Sequence, residues 1–436
     1  MIERVLLLTG ALAYLLLLSF IAYWVSTHPR SKLRQFFNGP NAYALTLGIY
    51  CTGWSFLAGA GSVYSFGILL LSIHLGVACM SFASLFVLRK LIRLCKEGGY
   101  ASAVDLVAAR YGNRRFIGAV LTLIVMVAMM PYTALQLEVI HYAFRELMAP
   151  SYSHWWDYLG LIMIASFALI YGMKTLDVTD HRPGIVSVVV VSSVVKLVAI
   201  ITLGFWVVYG VFDGFSDLFS QASNHGLHDL WQVQEDQYGT WTLGFILGAS
   251  TLWILPHQFH MAVVESQNEG HIRRASWLFP LYNFGFVILA LPVGVAGKLL
   301  LESGENPDSV IPLLVRLSDS QWLSFIVFLG AFSAAGCAVV VGSIAINNIL
   351  CNNVIIPSLL RWGKIRALPE KWTVDFLLFV RRAGLIAIGV LSLVLCVSIG
   401  TNFSIVMLGT TSFLALAQLA PGFWGALYWK EATVTA

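Results

Sequence analysis

Apolar residues run in blocks of twenty or more along this chain, separated by short charged segments. A block of that length matches the roughly 30 Å of hydrocarbon that a helix must cross. In lipid every backbone N–H and C=O has to be paired within its own segment, so the blocks are expected to be helices and strands are not expected to matter. The pattern predicts about eleven spans, at 5–25, 43–66, 68–88, 117–144, 157–173, 185–211, 241–263, 277–300, 321–350, 380–399 and 403–428. The first block is too long for a signal-peptide core and lacks a small-residue cleavage site, which predicts a retained helix.

Charge tests the count. With the N-terminus outside, the cytoplasmic segments collect 21 of the 26 Lys and Arg residues; the outer segments hold only Arg4, Arg145, Lys298 and Arg316. One missed helix would scramble every later loop, so an asymmetry this strong supports both the count and an N-out, C-in orientation. The remaining basic residue, Lys196, falls inside a span. Only 11% of residues are charged, against about 25% in a soluble domain, and mean hydropathy is +0.80. These values place the chain in a membrane, expected to be a bacterial inner membrane, and give no reason to expect nucleic acid as a partner. The six cysteines have neither metal-binding nor disulfide spacing. The outer 212–240 loop carries five acids with His225 and His228 and no Lys or Arg, and reads as a solvated acidic loop rather than a metal site. The stretch YASAVDLVAARYGN, residues 100–113, is amphipathic and is expected at the membrane surface.

Two spans look interrupted. The second holds Gly48, Gly53, Gly59 and Gly61 in and around YCTGWSFLAGAG; the seventh holds Gly244, Gly248 and Pro256. Glycine and proline loosen the helical ladder, and unwound backbone survives in a membrane only against protein or a water-filled cavity. The two spans stand five apart, where matching members of two five-helix inverted repeats would lie. Such a pair points to a transporter's binding site. The competing reading is that the glycines permit close helix packing.

CTGWSFLAGAGSVYSFG resembles the second helix of the sodium:solute symporter family, SAVDLVAARYG its motif after the third helix, PYTALQLEVI its fourth and LPHQF its seventh. Within the family, LPHQFHMAVVE, RRASWLFPLY, LCNNVIIPSLLR and SFLALAQLAPGFWGALYW resemble the symporter-like domain of sensor histidine kinases of the CbrA type. The resemblance covers residues 40–430. It implies an all-α, five-plus-five inverted-repeat (LeuT-like) transporter fold: an N-terminal helix and loop at 1–40, a core at 41–430 with repeats near 41–211 and 241–428, and a short tail at 431–436 that is expected to be truncated relative to the kinases.

Carried over position by position, the resemblance implies solute contacts at Thr52, Gly53 and Trp54, with Tyr132 on the fourth helix and Trp253 as an aromatic gate on the seventh. Its sodium site maps to backbone carbonyls of Gly48 and Cys51 and to Ala334, Cys337 and Ala338 on the ninth helix. Sodium wants oxygen ligands, and neither alanine nor a thiol supplies one; a family acid near this point is Tyr50 here. That weakens the case for sodium coupling and leaves the proton or sodium as the candidate coupling ion. Lys196 lies more than two turns inside VVVVSSVVKLVAIITL, too deep to snorkel easily, and an ionisable residue at that depth is a functional candidate. Some proton-coupled amino-acid transporters of this architecture place a lysine where sodium would stand. His74, Glu138, His257, Asn347 and Asn348 are weaker candidates.

Two functions follow. One is a secondary transporter of a small organic solute, with an amino acid expected and the proton rather than sodium as coupled ion. The other is a solute-sensing input domain for a histidine kinase and its response regulator, with the kinase part absent from this chain. No HExxH, GxSxG or kinase motif supports an enzyme, and no cofactor or metal is expected.

Overall fold

The computed structural model describes residues 2–112, 115–148, 181–302, 304–361, 370–399 and 403–431. Every regular element among them is a helix. Seven are long and apolar enough to cross a membrane, or up to nine if each of two bent pairs is one span. Together these correspond to ten of the eleven expected spans; the remaining one, 157–173, lies outside the described residues. The numbers differ because Trp54–Leu85 forms one apolar run of 32 residues. A straight helix of that length would measure about 48 Å, well beyond the hydrocarbon. The run divides at Phe66 and Gly67: Phe66 has φ −130° and ψ 5°, and Gly67 has φ +61° and ψ −147°. Glycine is needed there, because a Cβ would also stand 2.8 Å from the Leu230 carbonyl oxygen.

The Pro183–Trp206 and Gln321–Leu350 helices form the centre of the bundle. Proline opens the first, where its missing N–H costs nothing. The second is buried along almost its whole length after Val327. They approach closely at Gly330, where a Cβ would collide with Ala199 and sit 2.8 Å from Phe56; small residues allow helices to close on one another where lipid removes the hydrophobic drive to associate. The outermost helices, Ile2–Thr27 and Glu370–Ile399, present Leu12, Leu16, Phe20, Phe379, Ile386 and Val390 outward, the apolar face a bilayer requires.

Grouped by the side that the charges predict, the connecting segments carry two sets of hydrogen bonds. On one side, Arg93 donates to Glu269, Lys96 to the Ser266 carbonyl, Arg274 to Asn41, and Asn353 to Asp105. On the other, Asn306 donates to the Tyr142 hydroxyl, Tyr64 to the Glu302 carbonyl, and the Ile405 N–H to Asp308. Within the 100–113 stretch, Ala103–Arg110 buries Ala103, Val104, Leu106 and Val107 against the protein and is tied down through Asp105.

Candidate functional site between two broken helices

Both interrupted spans are broken in the structure, and in related ways. The second begins as the Pro40–Thr46 helix, tightens into a 3-10 turn at Leu47–Tyr50, leaves the helical path at Cys51 and resumes through a π-turn at Trp54–Ala58 before Gly59–Phe66. The seventh runs as Tyr238–Thr251, opens at 252–255, restarts with Pro256 in the first turn of Pro256–Phe259, and continues through a π-turn at His260–Val264. Its halves are bent by 42°. Wide turns of this kind recur at functional sites.

The glycines do not all do what their pattern predicts. Gly48 and Gly53 flank the first break. Gly59, Gly61, Gly244 and Gly248 stand within regular helix and serve close packing. A Cβ on Gly248 would strike the Ile73 carbonyl, one on Gly244 the Ser72 hydroxyl, and one on Gly61 the Pro307 carbonyl. The seventh helix is opened by the four residues before Pro256 instead.

Lys196 sits beside the first break. Its ammonium donates to the carbonyl oxygens of Gly48, at 2.8 Å, and Cys51, at 2.6 Å, and the side chain is wholly buried. The Gly48 carbonyl also accepts the Cys51 N–H, at 3.1 Å, as the 3-10 turn closes; Lys196 adds a second donor there and supplies one to the Cys51 carbonyl at the break, where lipid offers none. Of the expected ninth-helix positions, Ala334, Cys337 and Ala338 are all buried. The hydroxyl of that helix is one residue earlier: Ser333 donates to the Ser192 carbonyl at 3.1 Å and bonds the Tyr14 hydroxyl at 2.7 Å.

The expected solute contacts cluster, but as a closed network. The Thr52 hydroxyl bonds the Tyr132 hydroxyl at 2.8 Å and accepts from Gln136 Nε2 at 3.2 Å; the Gly53 N–H donates to Gln136 Oε1 at 3.0 Å. Trp54 Nε1 donates to the Val406 carbonyl. Around them stand Phe413, 5.3 Å from the Trp54 ring, and His257, parallel to Tyr132 at 5.7 Å. Trp253 is fully buried on the second break. Its Nε1 finds no hydrogen-bond partner, nor do His257 Nε2, either amide atom of Gln258 or the Tyr50 hydroxyl. Buried polar atoms are nearly always paired, so this group is conspicuous. His74 bonds Asn283 at 2.9 Å, and Asn283 in turn accepts from the Cys51 thiol; both line a cavity of about 220 Å³ with Trp241, beside the five expected contacts rather than among them.

Gln136, Gln258, Asn283 and Phe413 are the contributions that sequence reading missed. Gln136 stands one helical turn from Tyr132 inside the quoted PYTALQLEVI, and Gln258 lies inside LPHQF, so both were readable by spacing. Asn283 and Phe413 carry no such signal. Just past the second broken helix, Glu265 accepts the Arg182 N–H at 2.8 Å and lies 2.8 Å from His181 Nδ1. Burial works to raise its carboxyl, but His181 and His260 hold it down at about 2.

No family model matches the chain. It is similar to the uncharacterized symporter YhjB of Bacillus subtilis, 25% identical over 300 residues that make up 67% of this chain and 58% of the relative. It is also similar to a monocarboxylate transport permease protein of Rhizobium johnstonii, 27% identical over 273 residues, 61% of this chain and 52% of the relative. The chain therefore spans a little over half the length of the curated relatives it matches. Neither name is that of a kinase, and the sensor-kinase resemblance draws no support from them. Among solved structures, a Na+-coupled sialic acid symporter in a substrate-bound outward-open state superimposes with a TM-score of 0.74 at 12% identity, covering 99% of this chain and 88% of that one. Mhp1, a nucleobase-cation-symport-1 family transporter in a closed conformation with bromovinylhydantoin bound, gives 0.54 at 17% identity, covering 89% and 77%. The chain is thus an all-α, multi-span membrane protein with the inverted-repeat fold of cation symporters, and its sequence is similar to that of a symporter and a permease.

Proposed function

We propose that this chain is the transport unit of a secondary transporter that carries a small organic solute across a bacterial inner membrane with a proton, the solute lying between the two broken helices. The observation that carries the reading is Lys196 Nζ on the carbonyls of Gly48 and Cys51. An ammonium fixed there ties the Pro183–Trp206 helix to the broken one, the service a bound sodium ion would render. Losing its proton would remove the positive charge that holds the two carbonyl oxygens and loosen the pair. The sodium ligands absent at Ala334, Cys337 and Ala338 support the proton as the coupled ion. The unpaired polar atoms of Trp253, His257, Gln258 and Tyr50, set among aromatic rings, support the solute position: small-molecule sites join apolar walls to a few polar groups that fix orientation.

Amino acids are the first solute class to test and monocarboxylates, named for the Rhizobium relative, the second. The test is uptake of radiolabelled members of both classes into proteoliposomes under an inward proton gradient. Accumulation of one solute above its outside concentration supports the reading; no accumulation of any, with binding retained, removes transport.

A further inference from the structure

The turn at Pro307–Ser309 packs against the first broken helix at Gly61, and that turn is held by a carboxylate. Asp308 is buried, 2% exposed. Its Oδ2 accepts the Ile405 N–H at 2.8 Å, at the start of the Ile405–Ala417 helix. The next residue, Val406, accepts from Trp54 Nε1, so the turn and the first broken helix share one anchor. The turn also presses on Gly61, whose missing side chain makes room for the Pro307 carbonyl. Asp308 Oδ1, however, finds no partner, and the carboxylate of Glu138 lies near enough to act on it, itself buried and accepting from the Cys396 thiol at 3.3 Å.

We propose that Asp308, with Glu138 beside it, is a proton-binding site at the outer mouth, and that loading it with a proton clamps the 304–309 turn over the solute path. The inference rests on the transporter reading and on the outer placement of this turn by charge. A protonated carboxyl gives Oδ1 a hydrogen to donate, ends its repulsion with Glu138 and leaves Oδ2 to accept from Ile405. A charged one is buried with half its lone pairs unused. Burial, aided by Glu138, raises Asp308 to about 6, whereas a solvated aspartate titrates near about 3.9. The group binds its proton more tightly when the turn is shut, so acidification favours the shut state and deprotonation favours opening. Other titratable groups on the packed elements are engaged elsewhere or exposed: Tyr142 accepts from Asn306, Tyr64 donates to Glu302 and carries Lys298 over its ring, while Glu302 and Arg316 are exposed and Glu305 partly so. The Ile405–Ala417 helix brings no titratable side chain.

The test needs no solute. Hydrogen exchange of the 304–312 segment is measured by mass spectrometry in lipid nanodiscs at pH 5.5 and 7.5, corrected for intrinsic exchange. A closed-state value near 6 and an open-state value near 3.9 predict about fourfold greater protection at the lower pH. Asp308→Asn, which keeps an acceptor for Ile405 and has no charge, should be protected to the acid level at both pH values. Glu138→Gln should move the wild-type response to lower pH. Equal protection at both pH values in the wild type, or greater protection at pH 7.5, overturns the site, as does an Asp308→Asn response like the wild type's. If solute uptake fails while this response holds, the transporter reading falls and the proton site stands; the reverse outcome sinks the proton site alone.

Discussion

The two broken helices match in position and shape and differ in how their polar groups are met. At the first, the backbone groups of the break have side-chain partners, Lys196 for the Gly48 and Cys51 carbonyls and Gln136 for the Gly53 N–H, and Thr52 bonds Tyr132, while the Tyr50 and Ser55 hydroxyls find none. At the second, Trp253, His257 and Gln258 are buried with side-chain atoms that meet nothing in the protein. The contrast separates two jobs. A break that is internally satisfied is a clamp, and its state depends on the cation that closes it. A break left unsatisfied pays a desolvation cost that a bound solute can offset. Coupling and solute recognition would then reside on opposite helices of one site.

Breaking the clamp should have the largest effect. Lys196→Met removes the donor to the buried Cys51 carbonyl, which costs about 1–3 kcal/mol, while the Gly48 carbonyl keeps the Cys51 N–H; removing a buried charge partly offsets the loss. We expect a protein that inserts, melts earlier by a few degrees and has lost all dependence of solute uptake on pH. A variant that keeps wild-type pH dependence would show that Lys196 is structural.

Gly53→Ala comes next. Its Cβ would stand 2.8 Å from Gln136 Oε1 and Val139 and 3.0 Å from Ala335, crowding worth about 1–3 kcal/mol. Glycine-to-valine at this position would disturb packing still more. Gly53→Ala should therefore lower thermal stability along with solute affinity. Lost affinity at unchanged stability would mean that the Gly53 backbone faces solute directly.

The smallest expected change sharpens the second break. Trp253→Phe removes an unpaired N–H and keeps most of the ring, so stability should stay within about 1 kcal/mol of wild type. Solute affinity should fall about 3–10-fold if that N–H binds the solute. Gln258→Leu should behave likewise. Stability loss without affinity loss in both would place the recognition groups elsewhere.

Much of this was legible in the chain because a membrane imposes strong rules. Run length located most of the described spans to within a few residues, though the helix expected at 380–399 begins at Glu370, and the isolated lysine was visible as Lys196 because no other charge lies so deep. What could not be read was which glycine does which work. Gly248 and Gly53 look alike in sequence; only the neighbouring helix decides that one admits a carbonyl of Ile73 and the other flanks a break. Nor could spacing show that Thr52 and Tyr132 would bond one another, or that Asp308, in an ordinary acidic loop, would be buried against a helix N-terminus. Such features depend on contacts between residues 80 to 175 positions apart, which no local pattern carries.

The central claim is that Lys196 replaces sodium as the clamp on the first break. The most direct measurement is solute accumulation in proteoliposomes under an acid-outside gradient, with sodium exchanged for potassium on both sides. The account predicts accumulation that follows the proton gradient, is unchanged by the exchange, and is abolished when the gradient is collapsed. Saturable dependence on sodium, with no response to the proton gradient, would contradict it.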